Sequence, residues 1–317
     1  MTRKFLQSLG VVFFLLIVTA CNALFPAAPT PQLTAASSPP GSSTYRIAFA
    51  SDRGQPSFFN IYTMNVDGSN VTRLTNIRAI EKSAAWSPDG KRIAFGSDRD
   101  GHYEIYVMNA DGSNVVRLTN TPALSRQPTW SPDGKSIAFS SEMDGNWEIY
   151  IVPSSGAANV PANSDASAIV RLTNVSAYDW EPAWSPDGKS IAFTSNRYGG
   201  NQIFRMDTDG SHVRQLTTDD YDNSMAAWSP DSQRIAYISI RNGTWDIYVM
   251  NSDGSNIQRL TKSNAISRRP AWSPDGRLIV FEREGNIYSM NADGSNVTNL
   301  TKHPTSDTSS VCLCSLR

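Results

Sequence analysis

Three cysteines and three histidines in 317 residues cannot build a disulfide framework and leave little for metal-based or general-base chemistry. Charge is scarce too. Asp, Glu, Lys and Arg make up 18% of the chain, where an average protein has about 25%. Twenty-eight basic residues almost cancel 29 acidic ones, and a net charge of −1 provides no global field to draw the protein onto nucleic acid, so no nucleic-acid partner is expected. Ala/Glu/Lys/Leu-rich windows with a 3.6-residue period are missing, which disfavours a helical architecture. What the chain does contain is Gly, Pro and Trp, at 20, 18 and 8 residues, the profile of a turn-rich β protein. Its length suits two domains of roughly 150 residues or one large all-β domain.

The first residues read as an address. Thr2-Arg3-Lys4 precedes an apolar stretch from Phe5 to Val18 and the small residues Thr19-Ala20, the pattern of an export signal over residues 1–20. Val18-Thr19-Ala20-Cys21 resembles the bacterial lipobox, in which Cys21 becomes the lipidated first residue of the mature protein. Lipidation implies a tether to a bacterial membrane, facing the periplasm or the cell exterior, with chains enough for stable anchoring. Residues 22–44 hold five prolines, many Ala, Ser and Thr and no charge, so residues 21–44 read as a lipidated cysteine and spacer. In polyproline geometry, at ~3.1 Å per residue, the spacer reaches up to about 70 Å. A folded domain is expected over residues 45–317.

Internal repetition is the strongest signal. Trp86, Trp130, Trp184, Trp228 and Trp272 each open W-S-P-D, at intervals of 44, 54, 44 and 44 residues. The long interval contains the small, polar segment 155–168, read as an enlarged hairpin loop. The second half of the unit occurs six times, from IYTMNVDGSNVTRLT at Ile61 to IYSMNADGSNVTNLT at Ile287. Each unit parses into four strands, A to D. Strand A ends at the Trp; S-P-D-G turns into strand B, the I-A-F run; an S-D-R-x-G loop leads to strand C, E-I-Y-V-M-N; and Asp-Gly forms the hairpin to strand D, ending R-L-T. Strands B and C are apolar on successive residues, so both sheet faces must be covered. Four-stranded antiparallel sheets repeated six times and covered on both faces define an all-β, six-bladed β-propeller. A pair of sandwiches would predict neither the fixed period nor the near-identical turns. The recurrent Trp is read as blade-to-blade packing.

The first unit, Tyr45-Arg46-Ile47-Ala48-Phe49, begins at strand B and lacks its own strand A. Residues 308–314 are expected to supply it, so that the C-terminal strand closes the ring. Counting 11 residues from the last R-L-T threonine places Cys312 where the Trp stands in other units. Cys312 and Cys314 would then face one side of that strand.

W-S-P-D-G-K-x-I-A-F-x-S-x-R-x-G and I-Y-V-M-N-x-D-G-S-N-x-x-R-L-T resemble the WD40-like PD-type repeats of the TolB-like six-bladed propellers over residues 45–314. The resemblance implies a periplasmic, cell-envelope setting and a peptidoglycan-associated lipoprotein as the type of partner. Family members carry an α/β domain ahead of the propeller, where this chain has a 23-residue spacer.

No G-x-S-x-G elbow, H-E-x-x-H or phosphate-cradling loop appears, and no cofactor, metal site or catalytic residue is expected. His102 falls in a B–C loop, His212 in a C–D hairpin and His303 after the last strand D, so they cannot converge. N-x-D-G-S-N lacks the spacing of a calcium loop and is read as turn chemistry. Function should lie where the units differ. Strand polarity puts the B–C and D–A loops on one face, and these vary. The D–A side offers Glu81, Arg126, Tyr178, Trp180, Glu181, Asp220, Tyr221, Arg268 and Arg269, and the B–C loops offer Phe59, Tyr103, Trp147 and Trp245. Aromatics with Arg on one rim compose a recognition surface. The expectation is a monomeric, non-enzymatic, lipid-anchored propeller that binds a protein, peptide or glycan partner in the cell envelope. Two alternatives stand beside it. One is a polysaccharide lyase or hydrolase using Glu181, Arg126, Arg268 and His303; the other is a purely structural envelope component.

Overall fold

The computed structural model describes residues 45–155, 169–241, 243–303 and 306–315, with side chains through Asp307. The expected export signal, the lipobox Cys21, the spacer and most of the 155–168 insert lie outside the described residues. Six four-stranded antiparallel sheets follow one another along the chain. Blade 1 combines β1 (Tyr45–Ser51), β2 (Asn60–Asn65) and β3 (Thr72–Arg73) with β24 (Asp307–Ser315). Blade 2 runs β4 (Glu81–Trp86), β5 (Arg92–Ser97), β6 (Glu104–Asn109) and β7 (Val116–Arg117). Blade 3 runs β8 (Ser125–Trp130), β9 (Ser136–Ser141), β10 (Glu148–Pro153) and β11 (Val170–Arg171). Blade 4 has β12 (Asp179–Trp184), β13 (Ser190–Ser195), β14 (Gln202–Asp207) and β15 (Arg214–Gln215). Blade 5 has β16 (Asn223–Trp228), β17 (Arg234–Ser239), β18 (Asp246–Asn251) and β19 (Gln258–Arg259), and blade 6 has β20 (Ser267–Trp272), β21 (Leu278–Arg283), β22 (Asn286–Asn291) and β23 (Thr298–Asn299).

The apolar runs of strands B and C fill the spaces between blades. Ala48, Ala50 and Ile61 of blade 1 pack with Trp86, Ile93, Phe95 and Met108 of blade 2, and the same arrangement joins blade 5 to blade 6. The recurrent Trp belongs to these seams, as expected. The Trp130 indole N–H donates to the Ala85 carbonyl of the preceding blade at 2.9 Å, and Trp228 does so to Ala183 at 3.1 Å. Arg92 and Arg234 lie 4.6 Å from the Trp130 and Trp272 ring centroids of the next blade.

Two buried polar networks explain motif residues that are otherwise arbitrary. At the start of strand C, Glu104, Glu148 and Asp246 are fully buried. Each accepts from the Arg and Thr of its own R-L-T: Arg117 reaches Glu104 and Arg171 reaches Glu148 at 2.8 Å, and Arg259 reaches Asp246 at 2.7 Å. Where the acid is replaced, the arginine goes too, giving Gln202 with Gln215 and Asn286 with Asn299. Blade 1 breaks the rule: Asn60 faces Arg73, whose Nη2 is buried without a partner. The second network joins the first residue of strand A to the S-D-R loop, with Arg99 on Glu81 and Arg197 on Asp179 at 2.8 Å.

The Asp-Gly hairpin has a second task. A Cβ on Gly112, at φ 87°, would stand 2.5 Å from the Leu74 carbonyl oxygen of the preceding blade, so the turn is packed against the neighbouring R-L-T. The following asparagine also takes positive φ, 55° at Asn114, and His212 fills that place in blade 4 with φ 52°. His212 is thus a turn residue.

The ring closes through β24, as expected. β24 pairs antiparallel with β1, and Asp307 repeats the strand-A network: its carboxylate accepts from Arg53 at 2.6 Å and from the Ser51 hydroxyl at 2.6 Å. Ile47, Phe49, Tyr62 and Met64 of blade 1 pack with Val280 and Ile287 of blade 6. One detail of the register differs from the residue count. Trp86 pairs with Ile93 in blade 2, and the residue opposite the equivalent Ile47 is Leu313, with Cys312 opposite Ala48. Between Thr308 and Cys312 the strand spans four residues against two on β1, one more than the three-against-two bulge of β4, and this shifts the register.

Two substitutions test this account. Asp307→Ala leaves Arg53 unpaired at the seam, and urea unfolding should show a loss of about 3–5 kcal/mol; a loss within about 0.5 kcal/mol would show that the ion pair does not hold the ring. Gly112→Ala should destabilise far more than Gly101→Ala, because both residues have positive φ but nothing lies within 4 Å of a Cβ on Gly101. Equal shifts in melting temperature would mean that φ alone matters there.

Candidate functional site at the channel mouth

Strand A of every blade from 2 to 6 carries a bulge at its third residue. Ser83, Gln127, Glu181, Met225 and Arg269 have φ between 54° and 59°, a left-handed backbone that costs a non-glycine residue about 1–2 kcal/mol. In blade 2 the register steps from Lys82 opposite Gly96 to Ala85 opposite Ala94, so an extra residue is fitted in at this point. A bulge re-aims a side chain, and all five residues line one cavity of about 290 Å³ enclosed by the inner strands. Ala84, Pro128, Pro182, Trp184, Trp228 and Trp272 form more of its wall.

The rim above the cavity joins each B–C loop to the next D–A loop. The amides of Glu81, Ser125, Asp179 and Ser267 donate to the carbonyls of Phe59, Tyr103, Trp147 and Trp245, each at 2.8 Å. The B–C and D–A residues nominated from the sequence are therefore neighbours. Lys82 lies 4.3 Å from the centroid of Phe59, and Arg126 lies 4.4 Å from Tyr103 and 5.8 Å from Trp147. Burial pushes the Tyr103 hydroxyl up to about 12. Arg268 and Arg269 share the buried Glu282, at 3.1 and 2.6 Å. Tyr178 and Trp180 stand 6.2 Å apart between centroids, and Tyr178, Asp220 and Tyr221 are exposed.

Other nominees have structural duties. Glu81 is completely buried beneath Arg99 and is unavailable to a ligand, which removes it from the candidate face. Trp245 packs on the blade 5–6 core. Of the four residues considered for a lyase or hydrolase, Glu181 lines the cavity, and Arg126, Arg268 and His303 are not among the lining residues, the His303 amide bonding Asn286 at 3.0 Å. His102 contacts Glu104 at 2.9 Å, and His212 contacts Asp207 at 2.8 Å. Among the described residues no three His, Cys, Asp or Glu side chains gather as metal ligands.

Ser83, Gln127 and Met225 were not nominated from the sequence. Their signal is positional: they are the irregular residue two places before the Ala-Trp or Thr-Trp that ends strand A, in K-S-A-A-W, R-Q-P-T-W and S-M-A-A-W.

Glu181 is a half-buried carboxyl lining the cavity. Burial holds its carboxyl above the ordinary carboxylate range, opposed by the Thr194 hydroxyl and the Met225 amide, both at 3.0 Å, and by the charge of Arg269.

Six antiparallel four-stranded blades built on W-S-P-D and D-G-S-N repeats define a six-bladed β-propeller of PD-type repeats. The chain belongs to the TolB beta propeller domain family, whose profile matches residues 29–121, 123–242 and 220–313. The Tol-Pal system protein TolB of Bordetella pertussis is 36% identical over 165 residues, 52% of this chain and 35% of that protein, and those of Bordetella parapertussis and Bordetella bronchiseptica match equally. The chain thus spans about a third of the length of these curated relatives. The crystal structure of TolB from Acinetobacter baumannii superposes with a TM-score of 0.71 at 29% identity, covering 87% of this chain and 67% of that one. A TolB candidate from Agrobacterium tumefaciens gives 0.64 at 25% identity, over 82% and 89%.

Because the folded state favours protonated Glu181, the stability tied to this group is present below the ordinary carboxylate pKa and lost as pH rises through the elevated value. Glu181→Gln should therefore raise the melting temperature by a few degrees at pH 7 and change it little at pH 4. An equal change at both pH values would contradict the assignment.

Proposed function

We propose that the protein is a non-enzymatic component of the bacterial cell envelope that binds a partner protein through the rim of B–C and D–A loops. The observation that carries the reading is the asymmetry of the two faces. The S-P-D-G and D-G-S-N turns repeat almost unchanged and are occupied by their own hydrogen bonds, such as Ser113 on Asp111 at 2.6 Å. The opposite rim presents a different aromatic, Arg or acidic residue in each blade, on a scaffold that does not need to reorganise on binding. Kinship with Tol-Pal system TolB proteins supports a protein partner, and a peptidoglycan-associated lipoprotein is the first to test. In this reading Cys21 carries the lipid anchor, and residues 22–44 hold the propeller off the membrane.

Purified propeller should bind such a lipoprotein in surface plasmon resonance. Trp180→Ala and Tyr221→Ala should weaken that binding about tenfold, while Lys135→Ala and Asp133→Ala on the turn face leave it unchanged. Loss of affinity from the turn-face pair, with the rim pair silent, would reverse the face assignment.

A further inference from the structure

The exposed aromatic side chains among the described residues all belong to one sector of the rim. Tyr178, Tyr198 and Tyr221 are 49%, 75% and 45% exposed, and no Phe or Trp of the described residues is as open. One loop gathers them. Residues 196–201, between β13 and β14, carry Tyr198. At the start of this loop the Asn196 Oδ1 accepts from the Tyr178 amide at 2.8 Å. At its end the Asn201 amide donates to the Asp222 carboxylate at 2.8 Å, and the neighbouring Gln202 side chain donates to the Tyr221 carbonyl at 2.8 Å. The three rings therefore stand on a single hydrogen-bonded frame that joins blade 4 to blade 5.

The charge of this sector is of one sign. Asp220 and Asp222 are exposed, and neither has a cation within ion-pair distance among the described residues. The arginines nearby are already spent, Arg197 on Asp179 at 2.8 Å and Arg241 on Asp219. Glu181, the other carboxyl of the blade 4 inner strand, lines the cavity and accepts from Thr194 and Met225. Lys82, Arg126, Arg268 and Arg269 stand on blades 2, 3 and 6. The rim is thus divided between a basic side and a side of tyrosines and carboxylates.

Elsewhere the fold sets a guanidinium over an aromatic ring and against a carboxylate at once. Arg99 lies 4.7 Å from the Tyr106 centroid and pairs with Glu81. Arg197 lies 4.8 Å from Phe204 and pairs with Asp179, and Arg241 lies 5.1 Å from Tyr248 and pairs with Asp219. Tyr198 and Tyr221 with Asp220 and Asp222 supply the ring and the carboxylate of this arrangement and lack its cation. Exposed rings alone would suit an apolar side chain or a sugar equally; carboxylates without counterions favour a cation.

We propose that this sector receives a basic segment of the partner protein, an extended stretch whose arginine or lysine side chains lie on Tyr198 and Tyr221 and pair with Asp220 and Asp222. The proposal rests on the reading of the rim as a protein-binding face and names the chemistry of the segment that the face takes.

Fluorescence anisotropy with a labelled peptide of alternating glycine and arginine tests it, beside the same peptide carrying glutamine for arginine. The arginine peptide should bind and the glutamine peptide should not. Raising the ionic strength from about 0.05 to about 0.3 M should weaken binding several-fold. Tyr198→Ala and Asp220→Asn should each weaken it about threefold, and their combination about tenfold. Both side chains are exposed, so the variants should keep the wild-type melting temperature. Asp133→Asn on the turn face should leave the affinity unchanged. Equal binding of both peptides, wild-type affinity in the double variant, an equal loss from Asp133→Asn, or binding of a neutral glucose hexasaccharide in place of the peptide would overturn the proposal. Peptide binding by a protein that does not bind the peptidoglycan-associated lipoprotein supports the basic segment and points to another partner. Lipoprotein binding that the double variant leaves intact, without peptide binding, overturns this proposal and keeps the protein-binding rim.

Discussion

A propeller has no free sheet edge around its axis only if the last blade is sealed to the first, and here one non-local pairing does this. β24 must find β1 from more than 250 residues away, and Arg53 on Asp307, at a sequence separation of 254, repeats at the seam the ion pair that other blades make within themselves. Loop closure over such a span costs only logarithmically more than over a short one, so the distance along the chain is no thermodynamic obstacle to the seam. Blade 6 supplies Val280 and Ile287 to the blade 1 core, so the apolar seal continues across the junction. Every inner strand then has a neighbour on each side, and the channel they enclose has a fixed width.

Most of this architecture was legible in the sequence because it is repeated. A residue such as Phe95 or Trp130 announces its role by returning at a constant interval, and hairpins marked by Asp-Gly locate the strand ends. The register of β24 was less legible. Counting along the repeat assumes equal bulges, and an extra residue between Thr308 and Cys312 places Leu313, not Cys312, opposite Ile47. Glu81 was misjudged for a related reason. It begins a strand on the variable face, where an acid reads as exposed, but Asp179 and Asp307 occupy the same place and are equally buried under arginine. A charged residue recurring at one position of a repeat signals an internal partner, and the paired loss of acid and arginine in blades 4 and 6 is the same signal in reverse.

The rim was legible as a place, though not as an arrangement. Aromatic and basic residues in the B–C and D–A loops could be assigned to one face from strand polarity. That Phe59 lies beneath Lys82, and Tyr103 beneath Arg126, follows from hydrogen bonds between one blade's loop and the next blade's inner strand, which no single unit encodes. The consequence is functional: each cation is held by an aromatic belonging to its neighbour, so the rim is preorganised by the same contacts that stack the blades.

The bulge on each inner strand carries this logic furthest. Five non-glycine residues at φ near 57° represent strain that a glycine would relieve, yet the positions hold Ser, Gln, Glu, Met and Arg. Side-chain identity is free to differ because the backbone geometry, not the residue, directs it into the channel. A uniform scaffold thereby carries a ring of variable groups. Selectivity can then change by single substitutions that leave the blade cores, the ion-pair networks and the seam untouched.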